Sequence, residues 1–296
     1  MTHTKSCEVC SSDTLLPIWE KDGETYQRCR SCGLIRIFPQ PSAERLEKIY
    51  QDDYELLWSE VAQIYRPLKK KLNTKILTAM SKWTNSREAG KMRLLDIGAA
   101  TGLLMETGKE MGYDVYGVEG GQMGAEAIKE NFGEDRLFYG WLEQIDFASL
   151  GKVDYFDAVT MVDVLEHSAD PNEMLKIVNC VLKKGGIAAC YVPTTSSFAA
   201  KLLQKKWDFH CTQHLFSFSN NNLRTLFARN GFEVLAIHPY PRYLTIEYVR
   251  AVATHILKEG LGAMLLPVLR CIPTFLARLV IPVYSGQVLV IARKKS

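Results

Sequence analysis

Residues 93 to 119 constrain the fold more than any other stretch of this chain. Arg93-Leu94-Leu95-Asp96-Ile97-Gly98-Ala99-Ala100-Thr101-Gly102 is followed by a helix-length segment and then by Asp114-Val115-Tyr116-Gly117-Val118-Glu119. Leu94, Leu95 and Ile97 read as a short buried strand, Gly98 to Gly102 as a tight small-residue turn, and about Leu103 to Met111 as a helix. A second strand ends on the carboxylate of Glu119. A β-α-β unit with an acid at the tip of its second strand can accept hydrogen bonds from both hydroxyls of a ribose. The unit therefore points to a nucleoside-containing ligand.

The glycine spacing selects the nucleoside. A dinucleotide site uses G-x-G-x-x-G to open backbone amides to a pyrophosphate. Counted from Gly98, the second and third glycine positions hold Ala100 and Leu103, which argues against NAD. The D-x-G-x-x-x-G spacing of Asp96, Gly98 and Gly102 instead resembles motif I of the class I S-adenosylmethionine-dependent methyltransferases. Ala100 stands where that family has its middle glycine. The resemblance implies Asp96 toward the ammonium end of the cofactor. It also implies close backbone approach at Gly98, Ala100 and Gly102, and Glu119 with Gly120 at the ribose.

A second motif lies at the front. Cys7-x2-Cys10 and Cys29-x2-Cys32 are two C-x-x-C hooks, the pattern of a zinc ribbon in which four thiolates hold the ion tetrahedrally. Leu15, Leu16, Ile18 and Trp19, a Lys21-Asp22-Gly23 turn and Tyr26 read as a hairpin between the hooks. That stretch is not basic, which favours a structural cap over a nucleic-acid contact. The remaining cysteines, Cys180, Cys190, Cys211 and Cys271, have no ligand spacing and are expected to be buried small apolar residues in a reducing compartment.

Across 296 residues the net charge is only +3, too small to argue for a nucleic-acid protein. Hydrophobic residues make up 47%, enough for a large core. The N-terminus has no apolar signal core, so a cytoplasmic location is expected. The Lys69-Lys70-Lys71 run reads as a solvated helix face.

The chain divides into a ribbon at 1–40, a helical lid at 41–90, a cofactor domain at 91–243 and 286–296, and an apolar helical insertion at 244–285. In the lid, Arg45, Leu46 and Ile49 open one helix, and Leu68, Leu72, Ile76 and Met80 share one face of another. Strands are predicted at 93–97, 114–119, 136–139, 156–162, 187–192, 232–238 and 287–293, with helices at 122–131, 172–182 and 220–230. Alternation of this kind predicts an α/β fold with a mostly parallel sheet. The resemblance refines this to a Rossmann-like seven-stranded sheet whose last strand is antiparallel.

Phe156 to His167 with Asp170-Pro171 also resembles the fourth strand and loop of small-molecule methyltransferases, and Leu182 to Gly186 their lead into strand five. Trp207, His214, Phe218 and Gly231-Phe232 extend the likeness. The ribbon with Tyr50-x3-Tyr54 is similar to methyltransferases of nucleotide sugars, whose further C-terminal domain is not matched here.

Ligands of open parallel sheets sit beyond the carboxyl ends of the strands. Trp141 and Leu142 are expected to sandwich an adenine there, and Val162, Asp163 and Val164 to line the methionine portion. Methyl transfer needs a base rather than an acid, because the leaving thioether is neutral. His214 is preferred for that role, then His210, with His167 as the third candidate. A metal on His210 and His214 is discounted, because no H-E-x-x-H pattern is present. The loop after strand four lacks a D-P-P-Y-type sequence, which favours O- or C-methylation of a small acceptor, such as a sugar or lipid-linked intermediate.

The insertion places Ile246, Val249, Ala253, Ile256 and Leu257 on one helical face, followed by an apolar stretch carrying Arg270 and Arg278. As a membrane span, two central arginines cost about 5–7 kcal/mol, which cancels the apolar gain. A lid, an oligomer contact or an interfacial membrane patch remain, with the lid favoured. The competing function class is a non-catalytic protein of the same fold whose ribbon engages nucleic acid or a protein partner.

Overall fold

The computed structural model describes residues 6–42, 44–45, 60–84, 91–255, 269 and 271–295. Leu46, Ile49, Tyr50 and Tyr54 of the sequence reading lie outside the described residues, as do Ile256, Leu257 and Arg270.

The front opens with strands β1 (Leu15–Lys21) and β2 (Glu24–Cys29), followed by β3 (Ile35–Ile37). Asp22 and Gly23 join the first two with φ of 53° and 80°, the left-handed pair that a two-residue hairpin turn requires. Helix α1 (Glu60–Ser81) then buries Leu68, Leu72, Ile76 and Met80, as their spacing predicts.

The main body runs β4 (Arg93–Ile97), α2 (Leu103–Glu110), β5 (Asp114–Glu119), α3 (Gln122–Phe132), β6 (Leu137–Tyr139) and β7 (Phe156–Val162). Helix α4 (Pro171–Val181) follows, started by Asp170, whose carboxylate accepts from the amides of Asn172 and Glu173. Next come β8 (Leu182–Pro193), α5 (Phe198–Leu203), β9 (Phe216–Ser217) and α6 (Asn220–Arg229), the last capped by Ser219 and Asn222. The chain closes with β10 (Phe232–Pro239), β11 (Arg242–Leu244), α7 (Ile246–His255), α8 (Thr274–Ala277), β12 (Ile281–Val283) and β13 (Gln287–Lys294).

Seven strands form one sheet in the order β10-β13-β8-β7-β4-β5-β6. All neighbours pair in parallel except β13, which runs antiparallel to both β8 and β10. The expected α/β fold with an antiparallel last strand is therefore present. β8 starts at Leu182, earlier than expected, because Leu182 already pairs with Phe156 across a bulge.

Alternate residues of the central strands feed two cores. Leu95, Ile97, Val159, Met161, Cys190 and Val192 pack with Leu175 and Val178 of α4 and with Leu223, Leu226 and Phe227 of α6. Leu94, Ala158, Ala189 and Tyr191 pack on the other face with Leu72, Ile76 and Leu77 of α1 and with Leu104 and Met105 of α2. Cys7, Val9, Cys29 and Leu34 belong to the first core. The front also shares a sheet with the body, since β3 pairs with β9. Arg229 donates to Val9 O at 2.6 Å, Asn172 to Glu8 O at 2.8 Å and Asn222 to Cys32 O at 2.9 Å. Residues 6–40 are thus packed and hydrogen-bonded against α4 and α6.

The insertion leaves the body through the β11–β12 ladder and returns to β13. Tyr248 of α7 stacks on Tyr65 of α1 at 4.8 Å between centroids, so the described part of the insertion docks on α1. Cys180 and Cys271 are exposed, against the expectation that they are buried. On α4 the core-facing positions are Met174, Leu175, Val178 and Val181, which leaves Cys180 on the outer face.

Candidate functional site

The turn after β4 is unusual in its backbone. Gly98, Ala100 and Gly102 all take positive φ, at 69°, 48° and 77°. A Cβ on Gly98 would lie 2.8 Å from Val164 Cγ2, and one on Gly102 would lie 2.9 Å from the Phe132 ring. Both positions therefore require glycine, for conformation and for space. Ala100 holds a left-handed conformation that costs an L-residue about 1–2 kcal/mol. Part of the compensation is visible: Ala100 N donates to Glu119 Oε2 at 2.6 Å.

Glu119 is the centre of this crevice. Its other oxygen, Oε1, accepts from Gly121 N at 2.6 Å, and the residue is 4% exposed. Each carboxylate oxygen offers two acceptor directions. Gly124, which sequence reading passed over, lets α3 close on the turn: a Cβ there would fall 2.6 Å from Ala100 O.

Asp96 is buried and accepts from Thr160 Oγ1 at 2.8 Å. Burial pushes its carboxyl up to about 7. Trp141 lies over Gly120, its ring 3.1 Å from where a Cβ would sit, and the residue is half exposed. Leu142 points away into the sheet core, 3% exposed, beside Phe147. The expected Trp141–Leu142 sandwich is therefore not formed. The reason is the short helical turn that begins at Leu142, which directs neighbouring side chains to opposite sides.

Beyond β7 the chain bends at Asp163, whose φ is 56°, and Val162 just before it is half-buried. Lys69 Nζ pairs with Asp163 Oδ2 at 2.8 Å. Burial raises the Asp163 carboxyl, but Lys69 outweighs it and holds the group below its ordinary range. The Lys69–Lys71 run is thus not a solvated face. Lys69 reaches the site, Lys70 pairs with Glu106 and Glu110, and Lys71 sits over the Tyr243 ring at 4.9 Å. Lysine spacing alone carried no signal for this, because a helix places i and i+1 on different faces.

The three histidines separate. His167 and His214 meet edge to face at 4.8 Å. His214 Nδ1 bonds the carbonyl of Phe209 at 2.7 Å, which makes Nδ1 the protonated nitrogen and leaves Nε2 with a lone pair. Burial lowers the His214 imidazolium pKa and takes that of His167 down to about 3. Ligand atoms of Glu166, His167 and His214 lie within 4.8 Å of one another. Burial and the charge of Asp163 hold the Glu166 carboxyl well above its ordinary value.

His210 is elsewhere. It is 2% exposed, bonds Ser217 Oγ at 3.0 Å and packs among Trp19, Tyr26 and Trp207. Its place among the candidate bases is corrected to a structural one: β9 and the front hairpin enclose the ring.

At the front, Cys7 Sγ lies 3.5 Å from Cys32 Sγ, and Cys10 Sγ lies 3.5 Å from Cys29 Sγ. All four sulfurs fall within 4.8 Å of one another and none is in a disulfide. Four thiolates around zinc at about 2.3 Å are spaced about 3.8 Å apart, so the donor set fits that ion.

A family model described as a methyltransferase domain matches residues 63–237. The chain belongs to this methyltransferase family. Curated relatives include a ubiquinone biosynthesis O-methyltransferase of Cereibacter sphaeroides, 30% identical over 118 residues, which covers 39% of this chain and 48% of that protein. The chain thus spans about half the length of the curated relatives it matches. Among solved structures, a Thermotoga maritima protein described as a SAM-dependent methyltransferase, possible histamine N-methyltransferase, superposes with TM-score 0.51 at 17% identity, over 85% of this chain and 99% of that one. A Burkholderia thailandensis 1,6-didemethyltoxoflavin-N1-methyltransferase, solved with bound 1,6-didemethyltoxoflavin and S-adenosylhomocysteine, gives TM-score 0.52 at 15% identity over 95% of this chain and 99% of that one. These structures share the fold of this methyltransferase-family chain.

Proposed function

We propose that this protein transfers a methyl group from S-adenosylmethionine to a small-molecule acceptor. The observation that carries the reading is the Glu119 crevice: a buried carboxylate tied to the Ala100 and Gly121 amides beside a turn where two glycines leave no room for a side chain. Glu119 would take the ribose hydroxyls, and the backbone at Gly98 to Gly102 the amino-acid end, with Trp141 at the open side near Gly120. Asp96, bonded to Thr160 across β4 and β7, would lie toward the ammonium end of the cofactor, and Val162 and Asp163 would line the floor.

Bound S-adenosylmethionine supplies an electrophilic methyl group on a sulfonium centre. The protein's own tasks are to hold the acceptor, exclude water and remove a proton. His214 is the proposed base, since its Nδ1–H is committed to Phe209 O and burial keeps the ring neutral near pH 7. His167 packs against it and orients the ring. Oxygen or carbon is the expected methylated atom, and the O-methyltransferase relatives support oxygen.

The four cysteines are proposed to hold one structural zinc. The non-catalytic alternative, a fold retained for binding, is separated by one experiment. Calorimetry should show S-adenosylhomocysteine binding, and incubation with S-adenosylmethionine and a cell metabolite extract should give a methylated product by mass spectrometry. A folded protein that binds no S-adenosylhomocysteine would end the reading, and binding without any turnover would favour the alternative.

For the 244–285 insertion we propose a lid on the acceptor side, supported by the Tyr65–Tyr248 stack. Phe275, Leu279, Ile281 and Tyr284 are exposed, so a membrane surface or a second copy remains the alternative context. Among the described residues no helix is long and apolar enough to cross a membrane.

A further inference from the structure

We propose that the acceptor carries an oxyanion, a carboxylate or a phosphate, and that Arg242 binds it. This rests on the methyl-transfer reading and names the class of molecule that reading leaves open.

The starting point is a charge count beside the carboxyl ends of β7 and β8. Two cations stand there, Lys69 and Arg242, both half-buried. Lys69 is matched by Asp163 at 2.8 Å. Arg242 has no carboxylate within ion-pair distance among the described residues. Its guanidinium lies over the Phe209 ring, 5.8 Å from its centroid, and the nearby Tyr65 and Asp163 favour its charged form. Burial and the charge of Asp163 hold the neighbouring Glu166 carboxyl well above its ordinary value. Arg242 is therefore a half-buried cation with no carboxylate paired to it among the described residues, where an unpaired charge is costly to bury.

The surroundings are aromatic. Phe209 stacks on His214 with 12° between planes, and His214 is the proposed base. Tyr65 stacks on Tyr248, and Tyr191 meets Tyr240. Tyr191 is 1% exposed and its hydroxyl has no hydrogen-bond partner among the described residues. A buried phenol normally finds a partner, so this unused hydroxyl, whose titration both Asp163 and Arg242 influence, is a second sign of a missing acceptor atom. A guanidinium fork grips carboxylate and phosphate alike through paired N–H bonds.

The test is calorimetry on the protein loaded with S-adenosylhomocysteine, using benzoate, phenyl phosphate and the neutral benzamide as probes. At least one anion should bind tenfold or more tightly than benzamide, and the tighter of the two identifies carboxylate or phosphate. Arg242→Gln should abolish that preference, Arg242→Lys should retain part of it, and S-adenosylhomocysteine affinity should be the same in all three proteins. Equal binding of benzamide, no binding of either anion, or a preference that survives Arg242→Gln overturns the inference while leaving methyl transfer intact. Failure to bind S-adenosylhomocysteine at all would count against methyl transfer itself and remove this inference with it.

Discussion

Replacing Glu119 tests the cofactor crevice, and the geometry dictates which replacement is informative. Each carboxylate oxygen accepts one backbone amide at 2.6 Å in a residue 4% exposed. Glu119→Ala therefore strands two part-buried N–H groups, each costing up to about 1–3 kcal/mol. A loss of about 2–6 kcal/mol lowers the melting temperature by on the order of 10 °C in a chain of this size. Weak ligand binding by that variant would then be ambiguous. Glu119→Gln keeps one acceptor oxygen and the shape, but presents an NH2 group to the second amide. Its stability cost is about half, and it removes the negative charge that a ribose hydroxyl would bond. Loss of that charge-assisted bond is worth about 1.5–3 kcal/mol, or roughly ten- to 150-fold in affinity. Calorimetry with S-adenosylhomocysteine, alongside thermal melting, reads both effects. Unchanged affinity in a folded Glu119→Gln protein would refute the ribose assignment.

Cys29→Ser should release one equivalent of zinc, seen by elemental analysis. It should also weaken hydrogen-exchange protection in α4 and α6, because Cys7, Val9, Cys29 and Leu34 share their core; protection lost only within residues 6–40 would contradict this. The His214 imidazolium pKa is lowered by burial, so the neutral base persists as pH falls below the usual imidazole value of 6.5. Turnover should stay flat from pH 7.5 through 6.5 and decline only below that, and His214→Gln should lower kcat at least a hundredfold with S-adenosylhomocysteine affinity unchanged; a decline centred above 6.5 would exclude His214 as the base. Replacing 244–285 by a tight turn should leave S-adenosylhomocysteine affinity nearly intact while acceptor turnover collapses, and full turnover would dismiss the lid. Should the exposed Phe275–Tyr284 face bind membrane instead, co-sedimentation with liposomes will need anionic lipid and fall as salt rises.

The sheet was legible in the sequence because its signals are local. Leu94-Leu95-x-Ile97 before a glycine turn, Val115 to Glu119 after a helix, and Asp170-Pro171 at a helix start each carry their own physical cause. The same holds for the four cysteines, whose paired spacing survives any detail of the hairpin between them. The sandwich failed for a comparable reason in reverse: Trp141 and Leu142 are neighbours in sequence, and a helical turn sends neighbours apart. Distance in sequence decided the rest. Lys69 and Asp163 are 94 positions apart, and nothing near either marks the other. His210 and His214 share a loop, yet four residues carry one into the packing of the front hairpin and the other against His167 and Phe209.

The proposed acceptor wall has the same origin, and this explains why one edge of the candidate site could be read while most of the other could not. The cofactor edge is made by one continuous β-α-β unit, so its chemistry lies in 27 consecutive residues. The opposite edge is assembled from α1, the loop after β7, the end of β8, the 207–214 loop and β11. Each contributes one or two side chains: Tyr65 and Lys69, Asp163 and His167, Tyr191, Phe209 and His214, and Arg242. Asp163, His167 and His214 stood out locally as a lining residue and candidate bases, Lys69 read as solvated helix surface, and Tyr65, Tyr191, Phe209 and Arg242 carried no local signal. Only their meeting shows a charge without a partner and a phenol without an acceptor. A fold that keeps its cofactor unit local and composes its acceptor wall from distant pieces can change acceptor by substituting single residues, without disturbing the turn at Gly98 or the carboxylate at Glu119. Arg242→Gln should accordingly alter which acceptors are bound and leave S-adenosylhomocysteine binding as it was.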